Sequence, residues 1–234
     1  MTVTENVAAI RRRMDAAARE AGRQPEEILL VAATKMNGPD RVQEAIAAGV
    51  DACGENRVQE MLEKNAQGAY TGAPLHFIGH LQKNKVNKVV GLCSLIHSVD
   101  STELLSAIDR AAAAMGLRQE LLLEVNIGRE AAKSGFMAEE IPAALEKAAS
   151  LPHIFVRGLM AIPPVCRTGE ENRPYFCQMK QLFIDNCEKK YDNVRMDFMS
   201  MGMSGDFETA ILCGANLIRV GSSIFGARSY PQQK

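Results

Sequence analysis

Short apolar runs of strand length alternate with longer segments of helical periodicity along the whole chain. The pattern predicts eight strands, at residues 28–34, 50–53, 75–79, 95–99, 120–126, 155–161, 195–199 and 217–220. It also predicts helices at 39–48, 55–65, 101–115, 138–149, 175–190 and 205–213, and an extra helix at 4–21 before the first strand. This alternation is typical of parallel βαβ units. We therefore predict one domain, residues 1–234, folded as a single (β/α)8 barrel of the TIM type with an extra N-terminal helix.

Several predicted strands end in small or polar residues where they pass into the next loop. The first strand, for example, ends in Thr34-Lys35, and the last is followed by Gly221-Ser222. In a barrel these strand ends share one rim, where such folds place their chemistry. A doubly wound open sheet is the alternative architecture. It would predict a Gly-rich dinucleotide turn after an early strand, whereas the first strand here leads into Met36-Asn37-Gly38-Pro39.

Composition narrows the class of protein. The formal net charge is -1, so no broad basic surface is expected to neutralise a nucleic-acid backbone. The six cysteines form no Cys-x-x-Cys pair, which favours free thiols in a reducing compartment over a metal site. The sequence shows no basic leader and no apolar run of about 18 residues. We expect a cytoplasmic protein without membrane or nucleic-acid partners, and a monomer.

Lys35 occupies an unusual position for a lysine. It follows an almost wholly apolar strand, so its side chain should start at the rim of a buried sheet. An ammonium group there is costly to desolvate unless it is paired, bonded to a ligand phosphate or neutralised as an imine. Taken alone, the residue is more simply explained as a lysine that has already emerged into solvent.

Two loops rich in small residues follow the seventh and eighth strands. The first is Ser-Met-Gly-Met-Ser-Gly at 200–205, and the second is Gly-Ser-Ser at 221–223. Barrels often bind phosphate with these two loops, so we expect Ser200, Gly221 and Ser222 to contact a phosphate group. Arg219 precedes the second loop and would point toward the ring of the same ligand. The alternative for Arg219 is an ion pair within the barrel.

Six stretches of the chain together resemble one family. They are Val31 to Lys35, Gly54 to Glu60, His76 to Gln82, Gly158 to Met160, Ser200 to Asp206 and Arg219 to Gly226. The chain resembles the pyridoxal-phosphate homeostasis family, from the first strand to the end of the chain and in the right order. Gly214-Ala-Asn216 departs from the Gly-Ser-Thr common in that family, and the loop at 126–135 varies in its middle.

The resemblance implies a fold-type III barrel that binds pyridoxal 5′-phosphate and has no established catalytic activity. By resemblance, Lys35 forms the Schiff base, Asn56 lines the ring side, and Arg219 faces the pyridine nitrogen. The phosphate would lie on Ser200, Gly221 and Ser222. Such a protein keeps pools of vitamin B6 cofactor and amino acids in balance, with pyridoxal-phosphate-dependent enzymes as possible recipients of the cofactor.

Two other functions compete with this reading. The same barrel and lysine resemble the N-terminal domain of alanine racemase, so an amino-acid racemase is the main alternative. A racemase of that type takes a tyrosine from a second domain, which we do not expect here, so a carrier is favoured over an enzyme. The third possibility, a pure interaction protein, would have no need for a lysine, an arginine and a phosphate-binding loop on one rim. His80 and the basic cluster Lys83, Lys85 and Lys88 have no assigned role, and the cluster reads most simply as a solvated face.

Overall fold

The eight strands form a closed parallel barrel, which confirms the predicted fold. The computed structural model describes residues 2–188 and 191–226. Each strand pairs with the next in chain order, and the ring closes where the last strand pairs with the first, Leu29 opposite Leu217. The strands are β1 (Leu29–Ala33), β2 (Ala52–Glu55), β3 (Leu75–Phe77), β4 (Leu95–Val99), β5 (Gln119–Val125), β6 (Ile154–Ala161), β7 (Val194–Ser200) and β8 (Leu217–Val220).

Helices surround this barrel, and the predicted N-terminal helix is present. They are α1 (Val3–Glu20), α2 (Pro39–Ala47), α3 (Val58–Ala66), α4 (Thr102–Ala114), α5 (Ile141–Ala149), α6 (Arg173–Cys187), α7 (Phe207–Leu212) and α8 (Ser222–Phe225). A 3-10 helix, Lys83–Lys88, takes the place of an α-helix between β3 and β4. Residues 189 and 190, the predicted end of the sixth helix, lie outside the described residues. In the described part of the chain, no helix is long and apolar enough to cross a membrane.

The second strand lies two residues further along the chain than predicted. The apolar run ends at Cys53, yet Gly54 pairs with both Ala33 and His76, and Glu55 pairs with Phe77. The ladder therefore continues through a glycine and a carboxylate, which a hydropathy pattern assigns to a loop. As a result Glu55 is a fully buried strand residue rather than the start of a helix.

Side chains alternate between the inside of the barrel and the helices outside. The inner apolar cluster consists of Val31, Ala52, Leu95, Leu122, Met160 and Leu217. Because successive strand residues point to opposite faces, residues two positions further along share the inner face. His97 follows Leu95 in this way, and Arg219 follows Leu217. The upper part of the barrel interior is therefore polar.

Helix α1 covers the junction where β8 meets β1. It contacts α2 on one side of this junction and α7 and α8 on the other. The Asn6 amide donates to the Ile224 carbonyl at 2.8 Å, and Arg13 pairs with Glu208 at 2.5 Å. We call this junction the seam of the barrel.

Candidate functional site

A cavity of about 330 Å³ opens at the carboxyl ends of β1, β7 and β8. We call it the lysine cavity. Four of the predicted site residues line it: Lys35, Arg219, Gly221 and Ser222. Ala33, Met36, Asn37, Arg41, Met203, Ser204, Gly205, Phe225 and Gly226 complete the lining. The rim predicted from the strand ends thus brings the lysine, the arginine and the second small-residue loop together.

The turn that carries Lys35 is fixed by helix α3. The Lys64 ammonium, only 6% exposed, donates to the Thr34 carbonyl at 2.8 Å and to the Glu55 carboxylate at 2.7 Å. On the far side of the lysine, the Met36 N–H donates to Glu60, which also pairs with Lys64 at 2.6 Å. Both neighbours of Lys35 are therefore held by the same buried ammonium group, directly or through Glu60.

Glu55 is the hub of this buried network on the outer side of the barrel. One of its oxygens accepts from Lys64, from the Thr34 hydroxyl at 2.5 Å and from the Tyr70 hydroxyl at 3.1 Å. Burial, with the Glu55 carboxylate close by, raises the pKa of the Tyr70 hydroxyl well above its ordinary value. Tyr70 therefore stays protonated and serves as a hydrogen-bond donor.

The opposite wall of the lysine cavity presents several hydrogen-bond donors. The N–H groups of Gly221 and Ser223 converge on the Ser204 hydroxyl oxygen, at 3.4 and 3.3 Å. A Cβ at Gly221 would lie 3.3 Å from the Ala33 Cβ, a tight contact that glycine avoids. Two backbone N–H groups therefore meet at the Ser204 hydroxyl, and both Ser204 and Ser222 line the cavity. This donor set matches the acceptor oxygens of a phosphate group.

Ser200 lies elsewhere than predicted. It is fully buried and does not line the lysine cavity. Its hydroxyl oxygen accepts from the Arg219 guanidinium and lies 3.0 Å from His97 Nδ1. Between Ser200 and Ser204 the chain reverses at Gly202, whose φ of +93° suits glycine. Ser200 therefore lies inside the barrel, whereas Ser204 lines the lysine cavity.

Asn56 is also separate from the lysine cavity. It lines a second rim cavity of about 230 Å³, together with His80, Glu124 and Asn126. Its Oδ1 atom is buried and has no hydrogen-bond partner among the described residues. His80 is 57% exposed and lies 3.1 Å from Asp100. Lys83 and Lys88 are exposed, as expected of a solvated basic face.

Arg219 is enclosed by the barrel yet faces the lysine cavity. Its Nη2 donates to the Ala161 carbonyl at 3.0 Å, and its Nη1 donates to Ser200. Burial lowers its pKa to about 10, while the charges of Glu124 and Asp206 act in the opposite direction. The guanidinium therefore stays protonated at neutral pH and can only donate hydrogen bonds.

Sequence reasoning missed several of these residues. Ser204 and Arg41 line the lysine cavity, and Arg41 is fixed there by bonds to Asn37 and to the Phe225 carbonyl. In the sequence, Lys64 cannot be distinguished from an ordinary surface lysine of the predicted helix. A lysine nine residues after the end of a buried strand carries no signal of its own. His97 was also missed as an inner residue, although its spacing from Leu95 on β4 equals that of the predicted Arg219 from Leu217 on β8.

The Lys35 amine, the hydrogen-bond donors around Gly221 and the buried Arg219 guanidinium fit pyridoxal phosphate, which has an aldehyde, a phosphate and a ring nitrogen. A primary amine can form an imine with the aldehyde, the donor wall can hold the phosphate, and a buried guanidinium can donate to the nitrogen. The fit rests on the donors that converge around Gly221 and on the lysine that shares their cavity.

Comparisons with known proteins point to one family. The family described as alanine racemase, N-terminal domain, matches residues 6–229. A pyridoxal phosphate homeostasis protein of Aquifex aeolicus is 38% identical over 230 residues, covering 98% of this chain and 100% of that protein. The Escherichia coli K12 protein of the same name is 35% identical over 234 residues and 99% of each chain.

Solved structures share the fold. PipY of Synechococcus elongatus, in a structure with pyridoxal phosphate bound, has a TM-score of 0.82 at 32% identity and covers 96% of this chain and 100% of its own. Alanine racemase of Clostridium difficile has a TM-score of 0.67 at 15% identity and shares the barrel, with 58% of its chain covered. The identity to these relatives over nearly the whole chain shows that it belongs to the pyridoxal phosphate homeostasis protein family, whose members share the alanine racemase N-terminal domain.

Proposed function

We propose that this protein binds pyridoxal 5′-phosphate in the lysine cavity, through a Schiff base to Lys35, and serves in vitamin B6 and amino-acid homeostasis. The observation that carries the proposal is the meeting of Lys35, Arg219 and the Ser204–Gly221–Ser222 donors on one cavity. The PipY structure with bound pyridoxal phosphate and the names of the relatives support it.

Each part of the cavity has a separate role in this proposal. Lys35 supplies the amine, and the Lys64 network fixes the turn from which that amine extends. Ser204, Ser222 and the Gly221 and Ser223 N–H groups hold the phosphate, so the role predicted for Ser200 passes to Ser204. Asn56 remains a proposed ring-side contact, reached across the rim from its own cavity.

Arg219 restrains the chemistry of the bound group. When bound, pyridoxal phosphate supplies an aldehyde and a ring that can withdraw electrons. A guanidinium that only donates leaves the ring nitrogen unprotonated and so makes the ring a weaker electron sink. We therefore infer that the protein holds its cofactor without robust catalysis and releases it to pyridoxal-phosphate-dependent enzymes.

The setting of this function is part of the proposal. All six cysteines are free thiols, which supports the cytoplasm as the compartment. We propose that the chain acts there as a monomer. The racemase alternative gains nothing from the likeness to alanine racemase, which at 15% identity concerns the fold. Tyr70 cannot serve such a reaction from its place on the outer side of the barrel, where it is bonded to Glu55.

Visible absorption tests the proposal. The purified protein, loaded with pyridoxal phosphate, should be yellow, because the Schiff base is conjugated with the ring. Borohydride reduction followed by peptide mapping should place the label on Lys35, and Lys35→Ala should lose the band. Lys64→Ala is unsuitable as a control, since it disturbs the turn, but the exposed Lys88→Ala should keep the colour. A band that survives Lys35→Ala after dialysis would refute the Schiff-base assignment.

A further inference from the structure

A row of buried polar side chains crosses the inside of the barrel. It runs from Arg219 on β8 to Ser200 at the end of β7, then to His97 on β4 and His76 on β3. His97 Nδ1 lies 3.0 Å from the Ser200 hydroxyl, and His97 Nε2 lies 3.0 Å from His76 Nδ1. None of the four residues is more than 8% exposed. We call this row the polar chain.

The polar chain spans the barrel from end to end. Arg219 lines the lysine cavity at the carboxyl ends of the strands. His76 lines a cavity of about 210 Å³ that is bordered by the first residues of β1, β2 and β4, namely Leu29, Ala52 and Leu95. Polar groups buried among Leu and Met side chains are costly unless each is hydrogen-bonded. The four residues satisfy one another, so we consider them as a unit.

The Arg219 guanidinium decides which atom donates and which accepts in each hydrogen bond of the polar chain. Arg219 can only donate, so the Ser200 oxygen accepts from it and the Ser200 hydroxyl proton is left for His97 Nδ1. A neutral His97 then carries its proton on Nε2 and donates it to His76 Nδ1. Burial keeps both rings neutral: it lowers the pKa of His76 to about 4 and that of His97 well below its ordinary value.

This direction matters because a serine hydroxyl rotates freely. Without an acceptor at His97, the Ser200 proton could turn toward the guanidinium, and the Arg219 contact would be lost. With His97 accepting, a Ser200 lone pair stays aimed at Arg219 Nη1, while the Ala161 carbonyl holds Nη2. Two nitrogens of the planar guanidinium are thereby fixed, and with them the edge that faces the lysine cavity.

We propose that Ser200 and His97 are positioning residues for Arg219, which orient its guanidinium to donate to the ring nitrogen of bound pyridoxal phosphate. The inference rests on the proposed function for the identity of the ligand. It assigns a role to the serine that the sequence had linked to phosphate. His76 completes the unit, because its Nδ1 accepts the hydrogen bond from His97 Nε2.

A ligand that differs only at the ring nitrogen gives a direct test. Pyridoxal phosphate and its 1-deaza analogue, in which C–H replaces that nitrogen, are titrated against the full-length protein. The wild type should prefer pyridoxal phosphate by roughly tenfold or more, as expected of a hydrogen bond from a charged donor. Ser200→Ala and His97→Phe should reduce this ratio toward one and should shift the visible absorption maximum of bound pyridoxal phosphate.

Two serine variants provide matched controls. Ser98 is equally buried on β4, but its hydroxyl donates to the Gly79 carbonyl outside the polar chain. Ser98→Ala should therefore keep the wild-type ratio. Ser204→Ala should weaken both ligands by the same factor, because both carry the phosphate, and should also keep the ratio. Ser200→Ala removes a single oxygen, so it tests the inference even if His97→Phe fails to fold.

The outcomes separate the inference from the proposed function. A wild type that binds neither ligand refutes the proposed function, and a wild type that binds both equally refutes only the role of Arg219 and its positioning residues. A preference that survives in Ser200→Ala also overturns the inference. Nitrogen NMR of the unliganded protein adds a check independent of any ligand. His76 and His97 should both carry their proton on Nε2 at neutral pH. A proton on His97 Nδ1 would reverse the hydrogen bonds of the polar chain and contradict the inference.

Discussion

At the scale of single residues, the loop after β7 separates two serines that look interchangeable in the sequence. Ser200 lies inside the barrel and contacts Arg219, whereas Ser204 lies on the lysine cavity and meets the Gly221 N–H. Asp206 fixes the loop between them by accepting from the Met203 N–H at 2.6 Å. In our proposals, the serine that positions Arg219 and the serine that binds the phosphate are therefore different residues, only four positions apart.

The phosphate assignment predicts a selective loss of affinity. Ser204→Ala combined with Ser222→Ala should weaken pyridoxal phosphate by about tenfold or more per lost bond, because charge-assisted hydrogen bonds contribute about 1.5–3 kcal/mol each. Binding of pyridoxal, which lacks the phosphate, should change little. Fluorescence titration of both ligands gives the two dissociation constants. Equal weakening of the two would mean that these serines support the ring or the fold instead.

At the scale of elements, β1, β2 and α3 are joined by the ion pair between Lys64 and Glu55, both less than 8% exposed. The second Glu55 oxygen has no hydrogen-bond partner among the described residues. Removing one member of a buried pair strands the other charge, at a cost of about 3–5 kcal/mol. Replacing both members with apolar residues avoids that penalty.

We therefore predict that Lys64→Met lowers the free energy of unfolding by about 3–5 kcal/mol, and that Glu55→Leu with Lys64→Met lowers it by less. Denaturant unfolding of the single and double variants measures the coupling. The exposed Lys88→Met, as a control, should change stability by no more than about 0.5 kcal/mol. Additive losses in the double variant would show that the two side chains do not interact.

The elements differ in how far the sequence determines them. β4 and β8 have the predicted bounds, because the polar His97, Ser98 and Arg219 are flanked on both sides by apolar residues. β2 does not, since Gly54 and Glu55 belong to the ladder for reasons of pairing and not of hydropathy. The rim and Lys35 follow from strand ends alone. Ser200 was placed by the small-residue loop that it begins, and Asn56 through a resemblance. Which face of a doubly buried strand points inward is decided by the closed ring.

At the scale of the whole molecule, two neutral histidines inside the barrel tie stability to pH. The pKa of His76 falls to about 4 in the folded protein, below the 6.5 of a free histidine. The unfolded chain therefore binds more protons between these values, so stability is complete above about pH 6.5 and is lost as the pH falls toward 4. His97 acts in the same direction.

We expect the free energy of unfolding to fall by up to about 1.4 kcal/mol per pH unit for each of these histidines across that range. Urea unfolding at a series of pH values measures the slope. His76→Asn should flatten it, because this variant removes the buried imidazole. A slope that does not respond to His76→Asn would contradict the buried neutral state.

The proposed cofactor site bridges the seam under α1. Lys35 extends from the strand on one side of the seam, and Gly221 and Ser222 follow the strand on the other. A ligand that is bonded to Lys35 and held through its phosphate at Gly221 and Ser222 would link β1 to β8, the strand pair that closes the barrel. Anything that binds only the folded state slows its opening. Cofactor binding should therefore slow hydrogen exchange of the β1 and β8 amides. Without the cofactor, we expect the barrel to open first between these two strands.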